Sequence, residues 1–264
     1  MREHAGMDRI AVTGARGTLG RALLPLLADR DVRAIDRADG IELEDRGALR
    51  IALRGYAVVI HLAALHPLVA PPDADVALYE RANVVPFRAL LEVARETGVR
   101  RVLLASSTSV WRDAAPGEPA AFYESDDAPN ADDPYARSKH ECERLLANSD
   151  LESVVLRLAR FARAGNEEDE VRKLYRAVDA RDAADALALD HAVSGAVFSI
   201  SAPTPFRGED AADLSRDPRA VIRRRTGRDP AWNPPRIGSV ITSEHARSVL
   251  GWRARFPSTL LQNC

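Results

Sequence analysis

The sequence predicts an α/β fold: a doubly wound parallel sheet with helices on both faces. Three observations predict it. Short strand-like apolar runs alternate with helical patterns through the 264 residues. The first such run breaks into three glycines spaced Gly-x-x-Gly-x-x-Gly, at Gly14, Gly17 and Gly20. Ala57 to Leu62 is continuously apolar apart from His61, as parallel strands buried on both faces are. Composition agrees with a soluble globular chain, since 46% of residues are hydrophobic and 29% charged. A formal net charge of −2 gives no electrostatic basis for nucleic acid or an acidic membrane surface. No apolar run approaches the ~20 residues of a membrane span. The leader Met1-Arg2-Glu3-His4-Ala5-Gly6 is too short and polar for a signal peptide, and Cys142 and Cys264 make no disulfide framework. A cytoplasmic protein is expected.

Taken in order, Ile10-Ala11-Val12-Thr13 reads as the first strand. Gly14 lets the chain leave it in a tight turn, Gly17 lets backbone approach a ligand without a Cβ, and Gly20 lets the next helix pack close to the sheet. The free N–H groups of that helix's first turn suit a pyrophosphate. Leu19, Leu23, Leu24, Leu26 and Leu27 give the helix a broad apolar face, interrupted by Pro25. Val32 to Ile35 is the second strand and ends in Asp36. A carboxylate there accepts hydrogen bonds from the ribose hydroxyls of NAD and repels the 2′-phosphate of NADP. Arg37 beside it favours the phosphate, so NAD is expected with NADP as the alternative.

Ile41 to Asp45 precedes a helix, and the strand Ala57 to Leu62 runs into Ala63 and Ala64, small residues where backbone could border a cofactor. His61 and His66 lack a second ligand cluster, so no metal is expected. A proline-rich loop covers 67–75, a helix runs through Asn83 to Thr97, and Arg101 to Ala105 is the fourth strand. That strand ends in Ser106-Ser107-Thr108-Ser109-Val110-Trp111, where hydroxyls beyond a strand's carboxyl end would face a ligand crevice. Pro134 opens a further helix. Tyr135 and Lys139 stand on it at i and i+4, one turn apart on one face. A phenol of ordinary pKa near ~10 is shifted toward phenolate by a nearby ammonium and a cationic nicotinamide. Lys139 and Lys173 are the two lysines among 37 basic residues. In a chain that otherwise writes arginine, a compact ammonium at 139 points to a position a broad guanidinium would not serve.

Together these pieces resemble the extended short-chain dehydrogenase/reductase family, the NAD-dependent epimerase/dehydratase group. The resemblance rests on Thr13-Gly14-Ala15-Arg16-Gly17-Thr18-Leu19-Gly20, Asp36, His61-Leu62-Ala63-Ala64, Asn83, Ser106-Ser107 and Tyr135 to Lys139. It implies a Rossmann-type dinucleotide-binding core over 8–160 and a small substrate-binding region over 161–264, interleaved with the last strands of the core. It further implies Ser107 as the hydroxyl that polarises the substrate oxygen, Tyr135 as acid/base and Lys139 as its partner and ribose ligand. Thr18 and Leu19 would meet the pyrophosphate through backbone, and Glu42 and Leu43 stand beside the adenine. Trp111 takes the place of a common tyrosine on the substrate wall.

Beyond the strand Val154 to Leu158 the resemblance thins: Ala159-Arg160-Phe161 lacks the usual asparagine-containing segment. Residues 162–173 read as a brief loop, and Val178 to Ala188 as a short strand and helix with Asp182. Ala196 to Ser201 reads as another strand. Arg207 to Arg225 is partly helical with a solvated face at 223–225, and Ser243 to Leu250 is a helix closed by Gly251. The compact size is similar to the uronate dehydrogenases of the group, which implies a small sugar acid, polyol or ketone as substrate. Lys173, with Arg172 and Arg176, then meets a carboxylate or simply coats a helix. The expected activity is a dehydrogenase or reductase acting as a homodimer. An epimerase or dehydratase with retained NAD, and a non-catalytic dinucleotide sensor, remain the alternatives.

Overall fold

The computed structural model describes residues 8–189 and 193–261; the leader Met1–Gly6 and Cys264 lie outside them. Among the described residues ten strands are formed: β1 (Ile10–Thr13), β2 (Val32–Ile35), β3 (Val58–His61), β4 (Arg101–Ser107), β5 (Ala121–Tyr123), β6 (Glu152–Leu158), β7 (Arg160–Ala162), β8 (Ala177–Asp179), β9 (Ala196–Ile200) and β10 (Ser239–Ile241). The helices are α1 (Thr18–Leu23), α2 (Arg46–Leu53), α3 (Val76–Tyr79), α4 (Val85–Thr97), α5 (Pro134–Ala147), α6 (Glu167–Arg172), α7 (Ala180–Ala188), α8 (Ala211–Arg216), α9 (Pro218–Thr226) and α10 (Glu244–Leu250). The main sheet runs in the order β2-β1-β3-β4-β6-β9, and its pairs β1–β2, β1–β3 and β3–β4 are parallel. This is the doubly wound α/β fold expected. No helix among the described residues is long and apolar enough to cross a membrane.

The chain divides into two compact units. The first holds the residues up to Ser106, Asp132–Leu156 and Leu187–Ala196. Its buried residues include Ala11, Val12, Val59 and Leu104 from both faces of β1, β3 and β4, with Leu49 and Leu53 of α2 and Phe87 and Leu90 of α4. Aspartates cap two helices locally: Asp45 accepts from the Gly47 and Ala48 N–H groups to start α2, and Asp133 accepts from Ala136 N–H to start α5. Pro25 ends α1 at Leu23, and the chain continues as a 3-10 turn over Leu24–Leu27. The change of period takes Leu26 off the apolar face, where it is 42% exposed. The helical region before α4 also starts earlier than the sequence suggests, with α3 and a π turn at Glu80–Val84.

The second unit holds Ser107–Ala131, Arg157–Ala186 and the residues from Val197 on. Its apolar cluster joins Leu174, Phe206, Leu214, Val221, Ile222, Ile237 and Val240. Two small parallel sheets, β10–β5 and β7–β8, belong to it. Glu124 ties β5, β9 and the segment after β10: its carboxylate accepts from Ser125 Oγ at 2.7 Å, Ser199 Oγ at 2.5 Å and Thr242 Oγ1 at 2.7 Å. Residues 162–173 are not a plain loop. Asn166 caps α6 there by accepting from Asp169 N–H at 2.9 Å. Nor is 223–225 simply a solvated face, because Arg224 and Arg225 both pair with the fully buried Asp210, and the Arg225 side chain is 19% exposed.

Candidate functional site

In the first unit the glycine segment lies against the end of β3. Gly14 adopts φ 68°, and a Cβ there would stand 2.6 Å from the Ala63 nitrogen. A Cβ on Gly20 would stand 2.4 Å from the Ala15 carbonyl oxygen, so α1 rests directly on the turn that precedes it. Gly17 is exposed and would meet only the Gly14 carbonyl, at 3.2 Å. Thr18 is exposed and Leu19 buried. Asp36 ends β2 with both carboxylate oxygens engaged by backbone: Oδ2 accepts from Arg16 N–H at 2.9 Å and Oδ1 from Ala38 N–H at 3.0 Å. Glu42 is exposed, Leu43 is buried, and Ala64 is exposed beside the half-buried Ala63.

Two residues around β3 and α5, His61 and Asn83, are held firmly. His61 stands opposite Thr13 in register, its Nδ1 2.8 Å from Thr13 Oγ1. Burial, then the charge of Lys139, lowers its pKa to about 3, so the ring is neutral. Asn83 is 2% exposed and spent on protein: it accepts from Leu65 N–H at 2.7 Å and donates to the Leu65 carbonyl and to Ser138 Oγ. It therefore splices the loop after β3 to α5, one residue before Lys139.

Tyr135 and Lys139 lie on α5 as the i, i+4 spacing requires, 6% and 3% exposed. The Tyr135 ring packs edge-on to Tyr79 at 5.7 Å and His66 at 5.2 Å between centroids. The Lys139 ammonium makes no hydrogen bond or ion pair among the described residues. Burial lowers its pKa, while Cys142 and Glu143 act in the opposite direction. A buried cation without a donor-acceptor partner is a group that fits a ligand's hydroxyl oxygens. Glu143, one turn further along α5, accepts from Ser106 Oγ at 2.5 Å. The sequence signal for Glu143 is its i+4 spacing from Lys139 on the same helix face. Burial pushes the Cys142 thiol up to about 11, which leaves it an inert core residue.

In the second unit, Ser107 is 8% exposed and accepts from Ser109 N–H at 3.1 Å, capping a 3-10 turn over Thr108–Val110. Trp111 is 1% exposed, stacked on Tyr123 at 5.4 Å, with the Arg157 guanidinium over its ring and its indole N–H donating to the Asp127 carbonyl. The basic trio is dispersed among carboxylate partners. Arg172 pairs with Glu168, Lys173 with Glu170 at 2.9 Å and Arg176 with Asp113 at 2.5 Å. Arg176 also donates to the carbonyls of Thr108 and Trp111, at 3.3 and 3.0 Å, and so holds the segment that follows Ser107. Asp182 is buried and accepts from the Arg255 and Phe256 N–H groups at 2.7 and 3.1 Å, which makes it an anchor for the chain after α10.

The family model described as the NAD dependent epimerase/dehydratase family matches residues 10–195, and the chain belongs to that family. It is similar to the L-arabinose 1-dehydrogenase (NAD(P)(+)) of Haloferax volcanii, 34% identical over 39% of this chain and 42% of the relative. The curated relatives are matched over 31% to 55% of their own length. Among solved structures, a short-chain dehydrogenase/reductase superfamily protein from Agrobacterium tumefaciens with bound NAD superposes with a TM-score of 0.70. It is 24% identical, over 96% of this chain and 95% of that one. MoeE5 in complex with UDP-glucuronic acid and NAD gives 0.68 at 27% identity, over 96% of each chain. The family is NAD dependent by its description, and both superposed structures were solved with NAD.

Proposed function

We propose that the chain is an oxidoreductase that interconverts a hydroxyl and a carbonyl on a small substrate, with Tyr135 as acid/base. The observation that carries this reading is the buried ammonium of Lys139, without a hydrogen bond or ion pair among the described residues, one helical turn along α5 from Tyr135. NAD, when bound, takes up or returns a hydride. The chain's own residues do the rest. Lys139 holds ribose hydroxyls and stabilises the phenolate, and Tyr135 removes the hydroxyl proton in oxidation or returns it in reduction. Gly14, Gly17, Thr18, Leu19 and Gly20 border the pyrophosphate, Asp36 the adenosine ribose, Glu42 and Leu43 the adenine, and Ala63 and Ala64 the cofactor's inner edge. Asn83 acts by holding the loop at 65 to α5. For Ser107, as the hydroxyl that polarises the substrate oxygen, the support is the family's motif order.

The substrate class proposed is a sugar, sugar acid, polyol or ketone; similarity to the arabinose dehydrogenase supports it. For an acidic substrate, Lys173 would have to leave Glu170 to meet the carboxylate. A second reading, a nucleotide-sugar epimerase or dehydratase that keeps its NAD, is favoured by the likeness to MoeE5, solved with UDP-glucuronic acid. The test is a turnover panel of neutral sugars and ketones, uronates and nucleotide sugars, with mass spectrometry of the purified protein. Net reduction of added NAD by a free sugar or uronate supports the first reading. Tightly retained NAD with activity confined to nucleotide sugars supports the second.

A further inference from the structure

Asp36 is not the only carboxylate where β2 ends. The chain turns there through Arg37–Asp39, with Asp39 N–H donating to the Asp36 carbonyl at 2.9 Å and Gly40 N–H to the Arg37 carbonyl at 3.0 Å. Gly40 closes the turn at φ 79°, a left-handed conformation that suits glycine. The turn presents Asp39 to the glycine segment, and the Arg16 guanidinium meets it as a fork: Nε to Oδ2 at 2.8 Å, Nη2 to Oδ1 at 3.0 Å. The backbone N–H of the same Arg16 donates to Asp36 Oδ2 at 2.9 Å. Asp36 thus fixes the main chain of Arg16 while Asp39 takes its side chain.

This matters because a guanidinium forked onto a carboxylate is the group best shaped to fork onto a phosphate instead. Arg16 is 54% exposed along its side chain, and among the described residues Asp39 is its ion-pair partner. We propose that Asp39 is a specificity-determining residue: it latches Arg16 to the β2 turn, denies a 2′-phosphate its guanidinium partner, and so makes the site prefer NAD to NADP. The inference rests on the reading of Asp36 as the residue facing the adenosine ribose. Arg37, exposed and without an ion pair among the described residues, is the rival cation, and its contribution has to be separated.

The pair is largely solvent-exposed and contributes little to stability, so its variants should fold. Dissociation constants for NADH and NADPH are measured by fluorescence, and for 5′-AMP and 2′-phospho-AMP by calorimetry. The proteins are wild type, Asp39→Asn, Asp39→Asn with Arg16→Ala, and Asp36→Ala. Asp39→Asn should tighten NADPH and 2′-phospho-AMP about tenfold, about 1.4 kcal/mol, and leave NADH and 5′-AMP within about threefold. Adding Arg16→Ala should erase the gain. A gain that survives Arg16→Ala assigns the phosphate to Arg37 or to simple charge removal and overturns the latch. No gain in Asp39→Asn overturns it too. If Asp36→Ala leaves NADH binding unchanged, the ribose reading itself fails; if it weakens NADH while Asp39→Asn does nothing, the latch alone fails.

Discussion

Burial of His61 against Thr13 and beside Lys139 lowers its pKa to about 3, well below the ~6.5 of an unfolded histidine. The unfolded chain therefore takes up a proton that the folded chain refuses. Stability from this site is fully present above about pH 6.5 and is lost as pH falls toward 3, by up to about 1.4 kcal/mol per pH unit. His61→Asn, which keeps a hydrogen-bonding group near Thr13, should flatten that slope in urea denaturation followed from neutral pH down to about pH 5. An unchanged slope would assign the acid sensitivity to other groups. Lys173 tests a different residue-scale expectation. Its side chain is 6% exposed and that of Glu170 is 14% exposed, so Lys173→Met takes the ammonium from a mostly buried carboxylate and leaves it the Thr259 N–H at 2.7 Å. A loss of about 3–5 kcal/mol in denaturation is expected. A variant that kept full stability and lost only affinity for acidic substrates would place Lys173 at the substrate instead.

Among the elements, the turn between β1 and α1 was legible because its signal is local: glycines at fixed spacing after a four-residue strand. Gly14 and Gly98 separate conformation from contact. Both have positive φ, 68° and 81°, but a Cβ on Gly98 meets nothing within 4 Å while one on Gly14 collides with Ala63. Gly98→Ala should cost about 1–2 kcal/mol for backbone strain alone. Gly14→Ala should cost at least ~3 kcal/mol and weaken NAD binding, because backbone must move as well. Equal costs in chemical denaturation would mean that β1 and β3 do not pack as closely as described. α6 was missed because Glu-Glu-Asp-Glu-Val-Arg has no apolar period, although Asn166 followed by four acids is a helix-start signal. The five-leucine face after Gly20 was read too long, since Pro25 changes the period from α to 3-10.

Across the whole molecule, legibility falls where the chain is stitched by distant partners. Glycine spacing, the carboxylate after β2 and the tyrosine–lysine turn are short-range patterns, and they carry the NAD assignment. The pairing of β5 with β10, the Asp210 carboxylate under Arg224 and Arg225, and the hold of Asp182 on residues 255–256 join segments with no local signal of one another. Arg176 is the clearest case: it was grouped by charge with Arg172 and Lys173, yet its fork is spent on Asp113 and the carbonyls after Ser107. At the short-range end stands the acid/base pairing of Tyr135 with Lys139. It is tested most directly by comparing wild type with Tyr135→Phe for turnover of NAD on a substrate from the panel and for NADH affinity. Removing one hydroxyl should lower the rate by roughly 10²–10⁴-fold and leave the NADH dissociation constant within about threefold. A Tyr135→Phe protein that turns over near the wild-type rate across pH would contradict the account.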